Sequence, residues 1–480
     1  MINDLLALYD PRRSAATITY MLQSTEYDAA PYLRWYWRTH HIGRVMYRRT
    51  LDHTRAATLL KQFLMLGMAL QALAGVAMIA LGWSGHITGG LVFGLALLLS
   101  YPIVWAHIVV VPLTLGRLLI IQPKQRRLVA ASEATFANHP AVRIAIAGSY
   151  GKTTMKELLG TVLAEGKHVA ITPGNENVAV SHARFARKLT GDEDVLVIEY
   201  GEDRPGSIAA FARTTHPTYG IITGLSPAHL DRYKTIDAAG EDIFSLADYV
   251  PAGGLYVNKD SAALRPFLKL GHTTYDAGGT LGWKVQRVAL RTSGTEFDLV
   301  KGTRKLRLKS GLLGMHQVGP LSLAAALGLE LGLSDKQVTS GIAKTKPHEH
   351  RMQPYQLNGG WIIDDTYNGN IEGIRAGTAL LKALPAQRKL YVTPGLVDQG
   401  AESDQIHQEM GRLIAAAKPD VVVLMQNSAT AAIRQGLEAS KYGGKTIIET
   451  DPLNFYTNLN QFVAAGDLVL MQNDWTDNYA

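Results

Sequence analysis

A short apolar run, Val142-Arg-Ile-Ala-Ile-Ala147, opens into Gly148-Ser-Tyr-Gly-Lys-Thr-Thr-Met-Lys-Glu157, and this junction constrains the fold more than any other stretch of the chain. The run reads as a buried strand, and Met155 to Ala164 as the helix after it. A strand that turns through glycines into a helix presents backbone N–H groups and the positive helix end to an anion. Lys152 adds the charge that neutralises outer phosphates, and Thr153 the hydroxyl that can ligate magnesium. The spacing departs from the common Walker form: five residues before Gly151 stands Ile146, not glycine. With a strand before it and a helix after it, the segment still predicts a nucleoside triphosphate site, built by Gly148, Ser149, Tyr150, Gly151, Lys152, Thr153 and Thr154.

A chain of 480 residues has room for about three domains. It is 47% hydrophobic and 19% charged, as globular proteins are. It has no cysteine, which excludes disulfides and thiolate metal sites. The net charge of +7 suits anionic lipid or phosphorylated substrates, and no aromatic-basic motif argues for nucleic acid as a partner.

Apolar residues concentrate in two runs. Phe63 to Trp83 is apolar except for Gln71, and Ile87 to Leu115 is a second run, interrupted by Ser100, Pro102 and His107. Each is long enough to cross a bilayer as a helix, which takes about 20 residues. The first lies behind too many polar residues to read as a cleaved signal peptide. Arg34, Arg38, Arg44, Arg48, Arg49, Arg55 and Lys61 precede the pair, and Arg117, Lys124, Arg126 and Arg127 follow it. The connecting Ser84-Gly-His-Ile-Thr88 carries no lysine or arginine. Positive flanks stay cytoplasmic, so the expectation is a hairpin in the inner membrane with the rest of the chain in the cytosol. Trp35, Tyr36, Trp37 and Tyr47 suit a segment on membrane lipid, and equally the core of a small domain.

From residue 141 to about 345 strand and helix patterns alternate. Asp194-Val-Leu-Val-Ile-Glu-Tyr200 carries an acid near the strand end that, in a parallel sheet, points at the nucleotide, so Glu199 is a candidate magnesium ligand. Tyr219 to Leu225 is the next strand, followed by Ser226-Pro-Ala-His229, where the histidine suits a metal or a phosphate. Lys389 to Thr393, Asp420 to Met425, Thr446 to Glu449 and Asp467 to Met471 read as strands of a second, Rossmann-like sheet, with a helix over Glu402 to Ala416.

In order, Gly148 to Thr154, Ile198-Glu-Tyr-Gly201, Ser226-Pro-Ala-His-Leu230, Leu313-Gly-Met-His-Gln317, His350-Arg351 and Asp364-Asp-Thr-Tyr-Asn-Gly-Asn370 resemble the motifs of the Mur ligase family. Asp364 to Asn370 and Thr172-Pro-Gly-Asn-Glu-Asn177 are most similar to its dipeptide-adding member. The resemblance implies an α/β fold: an ATP-binding central domain over 139–346 with a parallel sheet, and a C-terminal domain over 347–480. Residues 1–138 precede them with the transmembrane hairpin, helices at about 63–83 and 89–111. It implies an ATP- and Mg2+-dependent ligase of cell-wall precursor synthesis, in which a carboxylate becomes an acyl phosphate and is captured by an amine such as D-alanyl-D-alanine. By the same resemblance Lys152, His229, Arg351 and Asp365 are catalytic, and Thr153, Glu199 and His229 hold metal. Gln317, Arg351, Asp365, Tyr367 and Asn368 contact the nucleotide; Asn175, Asn177 and His407 contact substrate.

Some features depart from the family. A carbamylated lysine that supports a second magnesium in many members corresponds to about Gly240, with Glu241, Asp242 and Lys234 nearby as substitutes. Gln317 stands for an asparagine, and Gly319-Pro320 replaces a second one. The domain that grips UDP in soluble members has no counterpart, which suggests an acceptor that is lipid-linked or presented at the membrane. Alternatives are a capsule-type ligase resembling poly-γ-glutamate synthases, a membrane-tethered nucleotide-binding scaffold, and a degenerate ligase that only binds.

Overall fold

The computed structural model describes residues 9–25, 27–38, 51–174, 176–202, 204–227, 230–367, 369–397, 399 and 402–473. They form two compact units, divided after Arg127.

The first unit is helical. Helix α1 spans Pro11–Ser24 and begins with a proline behind an Asp10 cap; α2 spans Ala29–Arg38; α3 is Arg55–Trp83 and α4 is Gly90–Ile108. Helix α3 starts on a Thr54 cap whose hydroxyl accepts from the Ala57 amide at 3.1 Å. The pairing of α3 with α4 depends on small residues. A Cβ on Gly94 would stand 2.6 Å from the Gly75 carbonyl, and one on Gly67 would stand 2.1 Å from the Trp105 ring. Gln71, the polar break in the first apolar run, is held in the pairing: its amide donates to Leu97 O at 3.1 Å and accepts from Trp105 Nε1 at 2.9 Å. Tyr32 and Tyr36 are core aromatics of this unit, whereas Trp37 is exposed. The expected second helix of about 89–111 is longer: α4 continues through Val110–Gly116, a π-turn at Arg117–Ile121 and Gln122–Asn138. Pro112 and Pro123 do not end it, because they fall in the first turns of Val110–Gly116 and Gln122–Asn138, where a missing N–H is tolerated.

The second unit holds two sheets. In the first, β2 (Val169–Ile171), β3 (Val195–Glu199), β1 (Val142–Ala147), β4 (Tyr219–Ile222), β5 (Leu255–Asn258) and β6 (Thr273–Asp276) lie parallel in that spatial order. Helices cover both faces, so β1 and β3 read as continuous apolar runs instead of alternating. An antiparallel meander extends the sheet: β7 (Gly279–Thr280), β8 (Trp283–Arg291), β9 (Gly294–Lys301) and β10 (Arg304–Ser310). The sequence reading missed it, although Leu306 and Leu308 are buried between exposed Lys305, Arg307 and Lys309, the period-two mark of a half-buried strand.

The second sheet runs β11 (Gln353–Leu357), β12 (Gly360–Asp365), β16 (Asp467–Gln472), β13 (Arg388–Thr393), β14 (Val421–Met425) and β15 (Lys445–Glu449), all parallel except β11. The last four strands fall within a residue of the sequence reading; β11 and β12 are additional.

Candidate active site

Strand β1 ends at Ala147, and helix α5 (Lys152–Leu163) starts five residues later. Between them the chain makes a turn that only glycine accommodates. Gly148 has φ +140°, and a Cβ there would stand 2.5 Å from Thr223 Oγ1; Gly151, the cap of α5, has φ +79°. Ser149 N donates to Gly224 O at 2.8 Å and Thr223 Oγ1 donates to Tyr150 O at 2.5 Å, which pins the loop to the end of β4. The first amides of α5 have no partner within the helix and face the turn.

Lys152 is 9% exposed; its ammonium donates to Gly148 O and lies 2.5 Å from Glu202 Oε2. Thr153 Oγ1 donates to Glu199 Oε1 at 3.1 Å, and Asn177 Nδ2 donates to the same oxygen at 3.3 Å. Glu199, at the end of β3, is 1% exposed, and its Oε2 takes no hydrogen bond among the described residues. That oxygen lies 3.3 Å from the ammonium of Lys156, a fully buried lysine one turn along α5 that also donates to Gly174 O. Thr153 and Glu199 together offer the hard oxygen donors that magnesium takes, with phosphate oxygens and water completing its shell. Oε2, ion-paired with Lys156 but taking no hydrogen bond, keeps acceptor capacity for a ligand of that kind.

The other side of the site comes from the second sheet. Asp365, at the end of β12, accepts from Met352 N at 3.1 Å and from Gln472 Nε2 at 2.8 Å. Burial pushes its carboxyl up to about 7, against the pull of the Arg351 guanidinium. Arg351 stacks on the Tyr367 ring with its guanidinium carbon 4.6 Å from the centroid. Gln317 Nε2 donates to His316 Nε2 at 3.0 Å, and burial pushes that imidazole down to about 4, so it accepts as the neutral base.

A cavity of about 700 Å³ lies between the turn and the second sheet. Tyr150, Gly151 and Thr154 of the turn, Gln317, and Arg351, Asp365 and Tyr367 of the second sheet all line it. Gly148 and Ser149 complete the turn without lining the cavity; Lys152 bonds to the turn at Gly148, and Thr153 and Asn177 bond to Glu199. Asn175, His229 and Asn368 lie outside the described residues, as do Arg44, Tyr47, Arg48 and Arg49. His407 needs correcting as a substrate contact. It is 1% exposed, its Nε2 accepts from Leu396 N at 2.9 Å, and its Nδ1 lies 2.7 Å from Ser403 O, so it shapes the 394–397 loop from behind.

At the lysine-free position, a Cβ on Gly240 would stand 2.3 Å from the Phe267 ring, so an aromatic fills the space a side chain would need. Of the substitutes, Glu241 and Lys234 are exposed. Asp242 is buried and accepts from Tyr233 OH at 2.8 Å and from Gly206 N at 2.7 Å. The sequence reading missed Lys156 and Glu202. The signal for Lys156 was its i, i+4 spacing from Lys152 on one helix face.

A phosphate cradle at a sheet's carboxyl edge, facing an arginine and a buried acid across a cleft, defines an ATP-using enzyme with a two-sided site. The model of the Mur ligase middle domain matches residues 146–328, and that of the Mur ligase glutamate ligase domain matches 350–472. The UDP-N-acetylmuramoyl-tripeptide–D-alanyl-D-alanine ligase of Mycobacterium leprae (strain TN) is 30% identical over 366 residues, covering 68% of this chain and 70% of that ligase. The enzyme of the same name from Escherichia coli (strain K12) is 26% identical over 319 residues, covering 65% and 70%. Among solved structures, MurF ligase from Thermotoga maritima in complex with ADP matches with a TM-score of 0.63 at 22% identity, covering 73% of this chain and 80% of that one. MurF from Acinetobacter baumannii gives 0.62 at 21%, covering 73% and 77%. The chain belongs to the Mur ligase family, ATP- and magnesium-dependent enzymes that form amide bonds.

Proposed function

We propose that this enzyme joins D-alanyl-D-alanine to the peptide of a UDP-N-acetylmuramoyl-tripeptide in peptidoglycan precursor synthesis, and that it works at a membrane surface. The observation that supports the ligase reading is the cleft lined on one side by Tyr150, Gly151 and Thr154 of the phosphate cradle and on the other by Arg351 and Asp365, with Glu199 bonded to the cradle through Thr153. The substrates follow from the names of the relatives it resembles.

The chemistry needs positioning and charge more than a protein nucleophile. Lys152 and the α5 amides hold the β- and γ-phosphates. A substrate carboxylate oxygen attacks the γ-phosphorus, the bond to ADP breaks, and an acyl phosphate forms. The amine nitrogen attacks the acyl carbon, phosphate leaves with the C–O bond pair, and the nitrogen gives up a proton. Magnesium, which Thr153 and Glu199 would hold, supplies charge neutralisation at the phosphates. Arg351 and Tyr367, on the far wall, restrict the nucleotide and shield the acyl phosphate from water.

The membrane reading rests on α3 and the long helix from Gly90 to Asn138, with mean hydropathies of 2.1 and 2.0. Only 22% and 28% of their most apolar windows are buried, where the core helix of a soluble protein would be mostly buried. An acceptor in lipid-linked form would suit such an enzyme.

The test uses the full chain in detergent with ATP and a UDP-N-acetylmuramoyl-tripeptide. ADP release should rise with D-alanyl-D-alanine and not with single amino acids. Stimulation by glutamate instead would point to a capsule-type ligase, and nucleotide binding without stimulation by any amine would point to a scaffold. Alkaline carbonate should fail to extract the chain from membranes; its extraction would refute the anchor.

A further inference from the structure

In the described chain Lys152 is not free to meet a phosphate. Its ammonium lies 2.5 Å from Glu202 Oε2, and the two side chains are only 11% and 5% exposed. A buried ion pair costs several times more to leave half-made than a surface one. Phosphate entry is therefore an exchange: Lys152 passes to a phosphate oxygen and Glu202 loses its partner. The other lysine of the helix cannot take over, because Lys156 is held by Glu199 Oε2 at 3.3 Å and by Gly174 O. The surroundings do not help either. Asp242 is a buried acid whose carboxyl is raised by burial and, in smaller part, by the charge of Glu202. A released Glu202 thus faces Asp242 and an incoming polyanion, where like charges repel strongly.

We propose that Glu202 is a positioning residue that couples nucleotide binding to magnesium. With the cradle free of phosphate it occupies Lys152; once the phosphates take the lysine, its freed carboxylate is compensated by the divalent cation. The coupling makes each ligand bind tightly only with the other, and it is reciprocal by linkage. It keeps Lys152 paired in the resting chain and discriminates against metal-free nucleotide. This inference rests on the ligase reading above.

The experiment is equilibrium binding of ADP to the full chain in detergent, in magnesium and in EDTA. The wild type should bind far more tightly in magnesium. In Glu202→Gln, which keeps the shape and removes the charge, binding in EDTA should tighten and the magnesium-to-EDTA ratio should shrink about tenfold. An unchanged ratio, or equal weakening in both buffers as a structural role would give, overturns the proposal. Lys152→Met gives a second reading that does not depend on that variant. There Glu202 has no ammonium, so magnesium alone should raise the melting temperature more than in the wild type; an equal rise overturns the coupling. A wild-type chain that binds no ADP in either buffer overturns the ligase reading itself, whereas normal wild-type binding with an unchanged E202Q ratio overturns the coupling alone.

Discussion

Replacing Lys152 separates the two tasks this lysine performs. Methionine keeps the buried stem and removes the ammonium, so Lys152→Met strands the Glu202 carboxylate, whose side chain is 5% exposed. Breaking a buried pair by removing one partner costs about 3 kcal/mol. For a unit of this size that is a drop in melting temperature of about 5 °C. Adding Glu202→Gln removes the stranded charge, so the double variant should recover most of the drop. Turnover follows a different rule, because the phosphates still lack their cation, and ADP release should fall about a thousandfold in both variants. The assay is a thermal scan beside ADP release for wild type, each single variant and the double. Full turnover in Lys152→Met refutes the cradle assignment. A melting loss that persists undiminished in the double variant refutes the claim that the ion pair carries it.

Asp365 should give the chain a pH signature. Its carboxyl is pushed up to about 7 from an ordinary 3.8, so between those values the folded state binds the proton that the unfolded state has lost. Stability from this group is full below about pH 4 and is lost as pH rises through about 7. Asp365→Asn should flatten that decline, measured as denaturant midpoints at pH 4.5 and 7.5; an unchanged slope counts against it. Gly240→Lys should lower the melting temperature without raising activity, because Phe267 fills the space a side chain would need. Gly67→Leu should open the α3–α4 pairing by displacing Trp105, at a cost of about 1–3 kcal/mol, seen as faster proteolysis of the first unit.

What was legible in the sequence is what local chemistry writes directly. The apolar run Val142 to Ala147 and the two left-handed glycines after it made strand and turn legible, and helix α5 follows as expected but starts three residues earlier, at Lys152 on its Gly151 cap. Glu199 was legible because an acid at the carboxyl end of a parallel strand has one place to point. Longer-range features were not. Glu202 meets Lys152 across 50 residues, and Lys156 meets Gly174 across 18, and no periodicity records such pairs. His407 misled because a histidine on a helix near a loop gives no sign of which way it faces; here both ring nitrogens turn inward. The meander over 279–310 was passed over because its alternation is short and dense in lysine and arginine, which reads as loop.

The first unit inverts the usual pattern of a helical pair in water. Its polar groups bond to one another across the pairing: Gln71 with Leu97 O, with Ser100 and with Trp105. The large apolar side chains point the other way, with Leu66, Leu70, Leu73, Val92 and Phe93 all more than half exposed. The backbones close on glycine, not on interlocking leucine. In water that arrangement leaves the hydrophobic surface unspent and buries little. In hydrocarbon each choice becomes favourable: apolar surface meets lipid, helices associate through close backbone contact, and polar side chains find partners inside the pair. The proposed anchor rests on these residues.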